Sequence, residues 1–227
     1  MSEQLVFELP HRPALGADDF LVSECNATAV RLVDAWPAWS HNIHVIVGPA
    51  GCGKSHLANV WRLNSRAQMV ANDIPGMDAL DSLATAPALV LEDAERAGIE
   101  EKTLFHLINL CNENDLPLLM TARILPADWP VSLPDLISRL RSFPVISIGP
   151  PDDDLLRAVL VKHFDDRQLS VAPQVISFLT TRMERSMDFA GRLVEAIDKA
   201  SLEAGRKITR QFASQVLEEL ISRGAAG

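Results

Sequence analysis

The stretch at 43–57, Ile-His-Val-Ile-Val-Gly-Pro-Ala-Gly-Cys-Gly-Lys-Ser-His-Leu, constrains this chain more than any other. Its apolar, β-branched start predicts a buried strand, its glycines a tight turn, and the residues from Lys54 a helix. Gly48, Gly53, Lys54 and Ser55 fit G-x-x-x-x-G-K-[ST], a loop that cradles phosphates. The glycines let the backbone curl so that successive N–H groups meet phosphate oxygens. Pro49, Ala50, Gly51, Cys52, Gly53 and His56 therefore join Lys54 and Ser55 as candidate nucleotide contacts. Lys54 would reach the β- and γ-phosphates and the Ser55 hydroxyl a Mg²⁺, while the helix N-terminus adds partial positive charge. With glycine at about 7% of residues, a chance match in a chain this long has odds of roughly one in a hundred.

A length of 227 residues suits one domain, or one with a small satellite. No run is long and uncharged enough to cross a bilayer, and the N-terminus lacks a signal peptide's basic start and apolar middle. Cys25, Cys52 and Cys111 are scattered without metal-ligand spacing, which reads as reduced thiols in a cytoplasmic protein. The net charge of −9 argues against strong autonomous binding to duplex DNA, whose affinity comes largely from neutralised phosphates. Tyrosine is absent, so a base-stacking platform is not expected either.

In chain order, residues 1–12 read as extended, because Pro10 and Pro13 exclude a helix and Leu5, Phe7 and Leu9 alternate. Asn26 is a candidate cap for an amphipathic helix that Pro37 stops. Strands are expected at 43–47, 68–71, 88–93, 116–121 and 144–148. Helices are expected from Lys54 to about 65, at 101–114 and at 133–141, with a helical turn or two at 78–84. The run Ala88-Leu89-Val90-Leu91 ends in Glu92-Asp93, as a buried parallel strand does where its carboxyl end faces a nucleotide crevice. There one carboxylate can hold Mg²⁺ and its neighbour orient a water. Gly149-Pro150-Pro151 is a stiff hinge, after which only helices follow, capped by Asp152, opened by Pro173, and capped by Ser186 and Thr209. The expectation is an α/β AAA+ P-loop NTPase base with a parallel sheet, followed by a small all-helical lid. The domain bounds are a tail at 1–12, the base at 13–150 and the lid at 151–227.

Several of these residues resemble the AAA+ domain of the bacterial replication initiator DnaA. They are Gly53 to Leu57, the Leu-Val-Leu-Glu-Asp strand, and Phe105-His106-Leu107-Ile108-Asn109. Asp19-Phe20-Leu21-Val22 with Asn26 looks like the initiator's segment leading into the adenine pocket, which makes Leu21 and Val22 candidate nucleotide contacts. The resemblance spans about 18–222 and stops where the initiator continues into a DNA-binding domain. In front stands Gln4-Leu5-Val6-Phe7-Glu8-Leu9, similar to the clamp-binding peptide of Hda-type regulatory inactivators of DnaA. Gln4 would supply amide hydrogen bonds while Leu5, Phe7 and Leu9 fill an apolar groove of the DNA polymerase sliding clamp.

The resemblance implies further roles. Glu92 falls at the metal-side aspartate, one methylene longer than usual, and Asp93 at the water-orienting carboxylate. Thr121 matches the sensor I position, with a strand-end threonine as the plain alternative. Arg139 matches the arginine finger that acts on a neighbour's nucleotide, Arg141 being its rival. Arg192 is the candidate sensor II, although the family's arginine aligns better with Gly191, and Arg185 is the alternative. The implied function is a clamp-tethered, ADP- or ATP-bound adaptor that promotes hydrolysis of DnaA-bound ATP, with a homo-oligomer among the assemblies it allows. A helicase-loader type of ATPase is the alternative, and a small-molecule P-loop kinase is less favoured because its lid usually interrupts the core.

Overall fold

A computed structural model describes residues 21–71, 80, 82–96 and 99–224. By internal contacts the chain divides into two compact units. One contains Glu24–Gly149; the other contains Leu21–Ser23 and the chain from Pro150 onward. The first unit holds α1 (Ala27–Asp34), β1 (Ile43–Val47), α2 (Lys54–Ser65), β2 (Gln68–Met69) and β3 (Leu89–Leu91). It continues through α3 (Glu101–Glu113), β4 (Leu118–Ala122), a 3₁₀ turn (Pro126–Asp128), α4 (Pro134–Ser142) and β5 (Val145–Ser147).

The five strands form one sheet in the order β2-β3-β4-β1-β5, every pairing parallel. Parallel strands need crossover helices, which cover both faces, so inner strands read as continuous apolar runs. Every residue of β1, β3 and β4 is accordingly buried. The edges differ: both residues of β2 are exposed, and Val145 and Ser147 of β5 face outward. Ile46 pairs with Thr121 and Leu91 with Met120, which aligns the carboxyl ends of β1, β3 and β4.

Two readings around α1 need correction, and β3 ends two residues before the expected Asp93. Asn26 precedes α1 but its side chain makes no capping hydrogen bond, and its ψ of −6° is not the extended geometry a capping residue takes. The side chain is instead fully buried. The helix also ends at Asp34, so that Trp36 and Pro37 lie beyond it. Trp39 stacks on Trp61 of α2 at 4.8 Å and 7°, and Trp36 meets both rings edge-on. Trp61 is completely buried, so this cluster ties the phosphate-loop helix to the segment entering β1. The helical turn expected at 78–84 and the tail bearing Gln4, Leu5, Phe7 and Leu9 fall partly or wholly outside the described residues.

The second unit packs α5 (Asp153–Asp166), α6 (Pro173–Arg182), α7 (Met187–Ala204) and α8 (Arg210–Gly224). Its core includes Leu156, Leu160 and Phe164 of α5, Leu179 of α6, Leu193 and Ile197 of α7, and Leu217 of α8. Three starts are capped as expected. Asp152 accepts from Leu155 N–H at 2.7 Å, Ser186 from Phe189 N–H at 3.2 Å and Thr209 from Phe212 N–H at 3.2 Å. Among the described residues no helix is long and apolar enough to span a membrane.

Candidate functional site

The phosphate-type loop leaves β1 at Gly48, whose N–H donates to the Ala122 carbonyl at 3.1 Å. A Cβ at Gly48 would lie 2.6 Å from the Ile148 carbonyl oxygen and 2.7 Å from Cys52 Sγ, so no other residue fits undisturbed. Gly53 begins the helix with φ +96°, a left-handed conformation that glycine adopts without steric cost. Cys52 is sealed beneath the loop, and burial pushes its thiol pKa up. A buried, protonated thiol there serves packing rather than chemistry.

Lys54 is also buried, an unusual place for an ammonium. Its Nζ donates to the loop's own carbonyls, Gly48 O at 2.8 Å and Pro49 O at 2.9 Å. The charge is thus folded into the loop by neutral acceptors, which suits an incoming phosphate anion. Ser55 and His56 open α2 on the exposed side, while Pro49 and Ala50 form the exposed rim. The loop's curvature, its buried ammonium and the helix N-terminus together fit a di- or triphosphate.

Across the same edge, Glu92 and Asp93 leave β3 half-buried. Asp93 takes φ +46°, and its N–H donates to Thr121 Oγ1 at 3.0 Å. Thr121 is fully buried at the end of β4, and its hydroxyl hydrogen is left to point elsewhere. Arg123, two residues on, brings Nη2 to 3.7 Å from Asp93 Oδ2, and its N–H donates to Glu95 Oε1 at 3.1 Å. Among the described residues no group of three or more His, Cys, Asp or Glu has metal-site geometry. A Mg²⁺ held by one hydroxyl, one carboxylate and phosphate oxygens does not need one. Ser55 and Glu92 fit that donor set.

Arg139 lies in the last turn of α4, half-exposed, with its guanidinium carbon 5.1 Å from the centre of the Phe105 ring. Arg141 is exposed on the same helix. The remaining candidates belong to the other unit. Leu21 is buried and Val22 half-buried. Arg192 on α7 pairs with Asp188 at 3.2 Å and lies over Phe189, 5.5 Å from the ring centre. Arg185 pairs with Asp153 at 2.8 Å and donates to the Pro151 carbonyl at 3.3 Å. Position 191 faces His163, where a Cβ would make ordinary contact with Nε2 at 3.4 Å.

Loop, carboxylates and Thr121 therefore converge on one edge of one sheet. Arg123 joins them without having been singled out from sequence, although it closes the Thr-Ala-Arg run at the end of β4. Its signal was its position at a strand's carboxyl end, where side chains face the crevice.

Comparison with known proteins agrees with this architecture. Residues 152–217 match the family model of the Hda lid domain. The chromosomal replication initiator protein DnaA of Lacticaseibacillus paracasei is 26% identical over 235 residues, covering 92% of this chain and 52% of that protein. The chain thus spans about half the length of that relative. An uncharacterised protein of Haemophilus influenzae is 28% identical over 184 residues, covering 76% of this chain and 80% of its own length. Among solved structures, domain III of the Thermotoga maritima replication initiation protein DnaA superposes with a TM-score of 0.76 at 16% identity. That match covers 88% of this chain and 94% of the other. AMPPCP-bound DnaA from Aquifex aeolicus gives 0.70 at 18% identity, covering 90% and 68%.

Proposed function

We propose that this DnaA-related AAA+ protein, α/β in its base and helical in its lid, is a negative regulator of replication initiation. In this reading it binds ADP or ATP at 48–56 and acts in the cytoplasm on ATP held by DnaA. The Hda lid match in a DnaA domain III fold carries the reading. Two features support it further: a phosphate-type loop with a buried lysine, and an arginine at the surface end of a short helix.

Residue roles follow from position. Lys54 and the loop N–H groups bind the chain's own phosphates. Bound Mg²⁺, held by Ser55 and Glu92, would neutralise charge on the phosphate oxygens. Asp93 orients a water at that edge, and Thr121 takes the sensor I position near the γ-phosphate. Arg139 projects its charge to a neighbour's nucleotide, where hydrolysis consumes one water and one ATP and yields ADP and phosphate. An arginine supplied in this way is worth about 10³–10⁵ in rate. Gln4, Leu5, Phe7 and Leu9 tether the protein to the sliding clamp, raising its local concentration near DnaA.

The test measures hydrolysis of DnaA-bound ATP with clamp and this protein present. Arg139→Ala is expected to abolish the stimulation and keep clamp binding; full stimulation by that variant overturns the reading. Gln4→Ala with Leu5→Ala is expected to lose clamp retention while the fold stays intact. A second reading, an ATPase of the helicase-loader type, is favoured by Glu92, Asp93 and Thr121 standing at the chain's own loop. Turnover by the purified protein alone, raised by single-stranded DNA, would select it.

A further inference from the structure

The helix that carries Arg139 buries Leu136 and Leu140 in the core, and α3 touches it near both ends. At the front of α4, the Glu101 carboxylate accepts from the Ser132 N–H at 2.9 Å and from the Leu133 N–H at 2.8 Å. The Ser132 hydroxyl lies 3.1 Å from each carboxylate oxygen. Helix α4 starts on Pro134, which has no N–H, and its N-cap Leu133 has no side-chain capping bond. A carboxylate from another helix thus anchors the segment entering α4. Near its other end, Arg139 rests against Phe105. Glu101 and Phe105 are four residues apart on α3 and so share one face.

The geometry points to Glu101 and Phe105 as positioning residues for Arg139, a two-point clamp that sets where its guanidinium projects. This rests on the reading of Arg139 as a finger. A finger works only when its donors meet the phosphoryl oxygens at a set distance, and a misplacement of about 1 Å can cost about a hundredfold. An arginine on an open helix face samples many rotamers, and a ring beneath it favours those that lie over its face. The kind of contact matters too. Arg185 and Arg192 use N–H donors on Asp153 and Asp188. A ring face holds the cation through its quadrupole and uses none of those donors. The clamp therefore orders Arg139 while leaving its hydrogen-bonding edge available.

Two readouts test this. In single-turnover hydrolysis of DnaA-bound ATP, Phe105→Leu keeps apolar bulk and removes the ring. It is expected to lower the maximal rate about tenfold, without changing the half-saturating concentration. Phe105→Tyr restores the rate to near wild type, and Glu101→Ala lowers it as Phe105→Leu does. In NMR of the free protein, the Arg139 Nε–H resonance is expected upfield from the ring current, to stay so in Phe105→Tyr and to return to its ordinary position in Phe105→Leu. A wild-type maximal rate in folded Phe105→Leu overturns the inference, as does an Arg139 resonance that does not move. If Arg139→Ala stimulates as well as wild type, the finger reading fails. The resonance then still decides whether the clamp exists.

Discussion

The backbone N–H of Asp93 donates to the hydroxyl of Thr121 across 3.0 Å, joining the end of β4 to the turn after β3 at the edge where the loop also begins. That bond fixes Asp93 in a left-handed turn, φ +46°, which few residues other than glycine adopt. The threonine thus holds the carboxylate turn, whatever it does toward a phosphate.

Replacing Thr121 by valine preserves shape and removes the acceptor. A part-buried N–H left without a partner costs about 1–3 kcal/mol. Urea denaturation of Thr121→Val is expected to show a loss in that range, with Thr121→Ser much closer to wild type.

Lys54→Ala removes the charge that the loop folds inward. Added ADP or ATP is expected to raise the melting temperature of the wild-type protein and to leave that of the variant unchanged. At ligand concentrations a hundred times Kd the stabilisation amounts to about 2.7 kcal/mol. Calorimetric titration of both proteins measures the binding directly.

Gly48→Ala places a methyl group against the Ile148 carbonyl and the Cys52 sulfur. The carbonyl belongs to the backbone beside β5, so relief requires a shift of loop or strand. Overpacking of this kind costs about 1–3 kcal/mol. Denaturant melts should show that loss, with weakened nucleotide affinity alongside it.

Acid should weaken the fold through His44. The ring is buried against Trp39, and burial, with His41 next, lowers its pKa from 6.5 to about 4. The folded state keeps His44 neutral where the unfolded chain takes up a proton. This contribution is therefore complete above pH 6.5 and is lost as pH falls toward 4. His163 in the helical unit is shifted the same way, chiefly by burial, and adds to the loss. Thermal melts of His44→Phe across that window should show a shallower decline than wild type.

Much of the fold could be read directly. Apolar runs marked the strands, and Asp152, Ser186 and Thr209 announced their helices because a cap bonds to an N–H three residues away. Asn26 misled because burial claimed the side chain that a cap would use. The carboxyl end of β3 came two residues early because Asp93 answers to Thr121, 28 positions further along. The convergence of Lys54, Glu92 and Asp93 on one edge required the sheet order, which periodicity does not encode.

By itself the sequence determined what depends on near neighbours: the glycine-rich loop with its lysine, the alternation of strand and helix, and the helical end of the chain. Only the tertiary structure decided which strand lies beside which. It also brought Arg123 to Asp93, Trp39 onto Trp61, and Glu101 and Phe105 to the two ends of the helix bearing Arg139. The reason is one of range. Turn, cap and period express forces acting within a few residues. These contacts bridge segments 22 to 34 positions apart, and form only once packing of the apolar strands has brought those segments together.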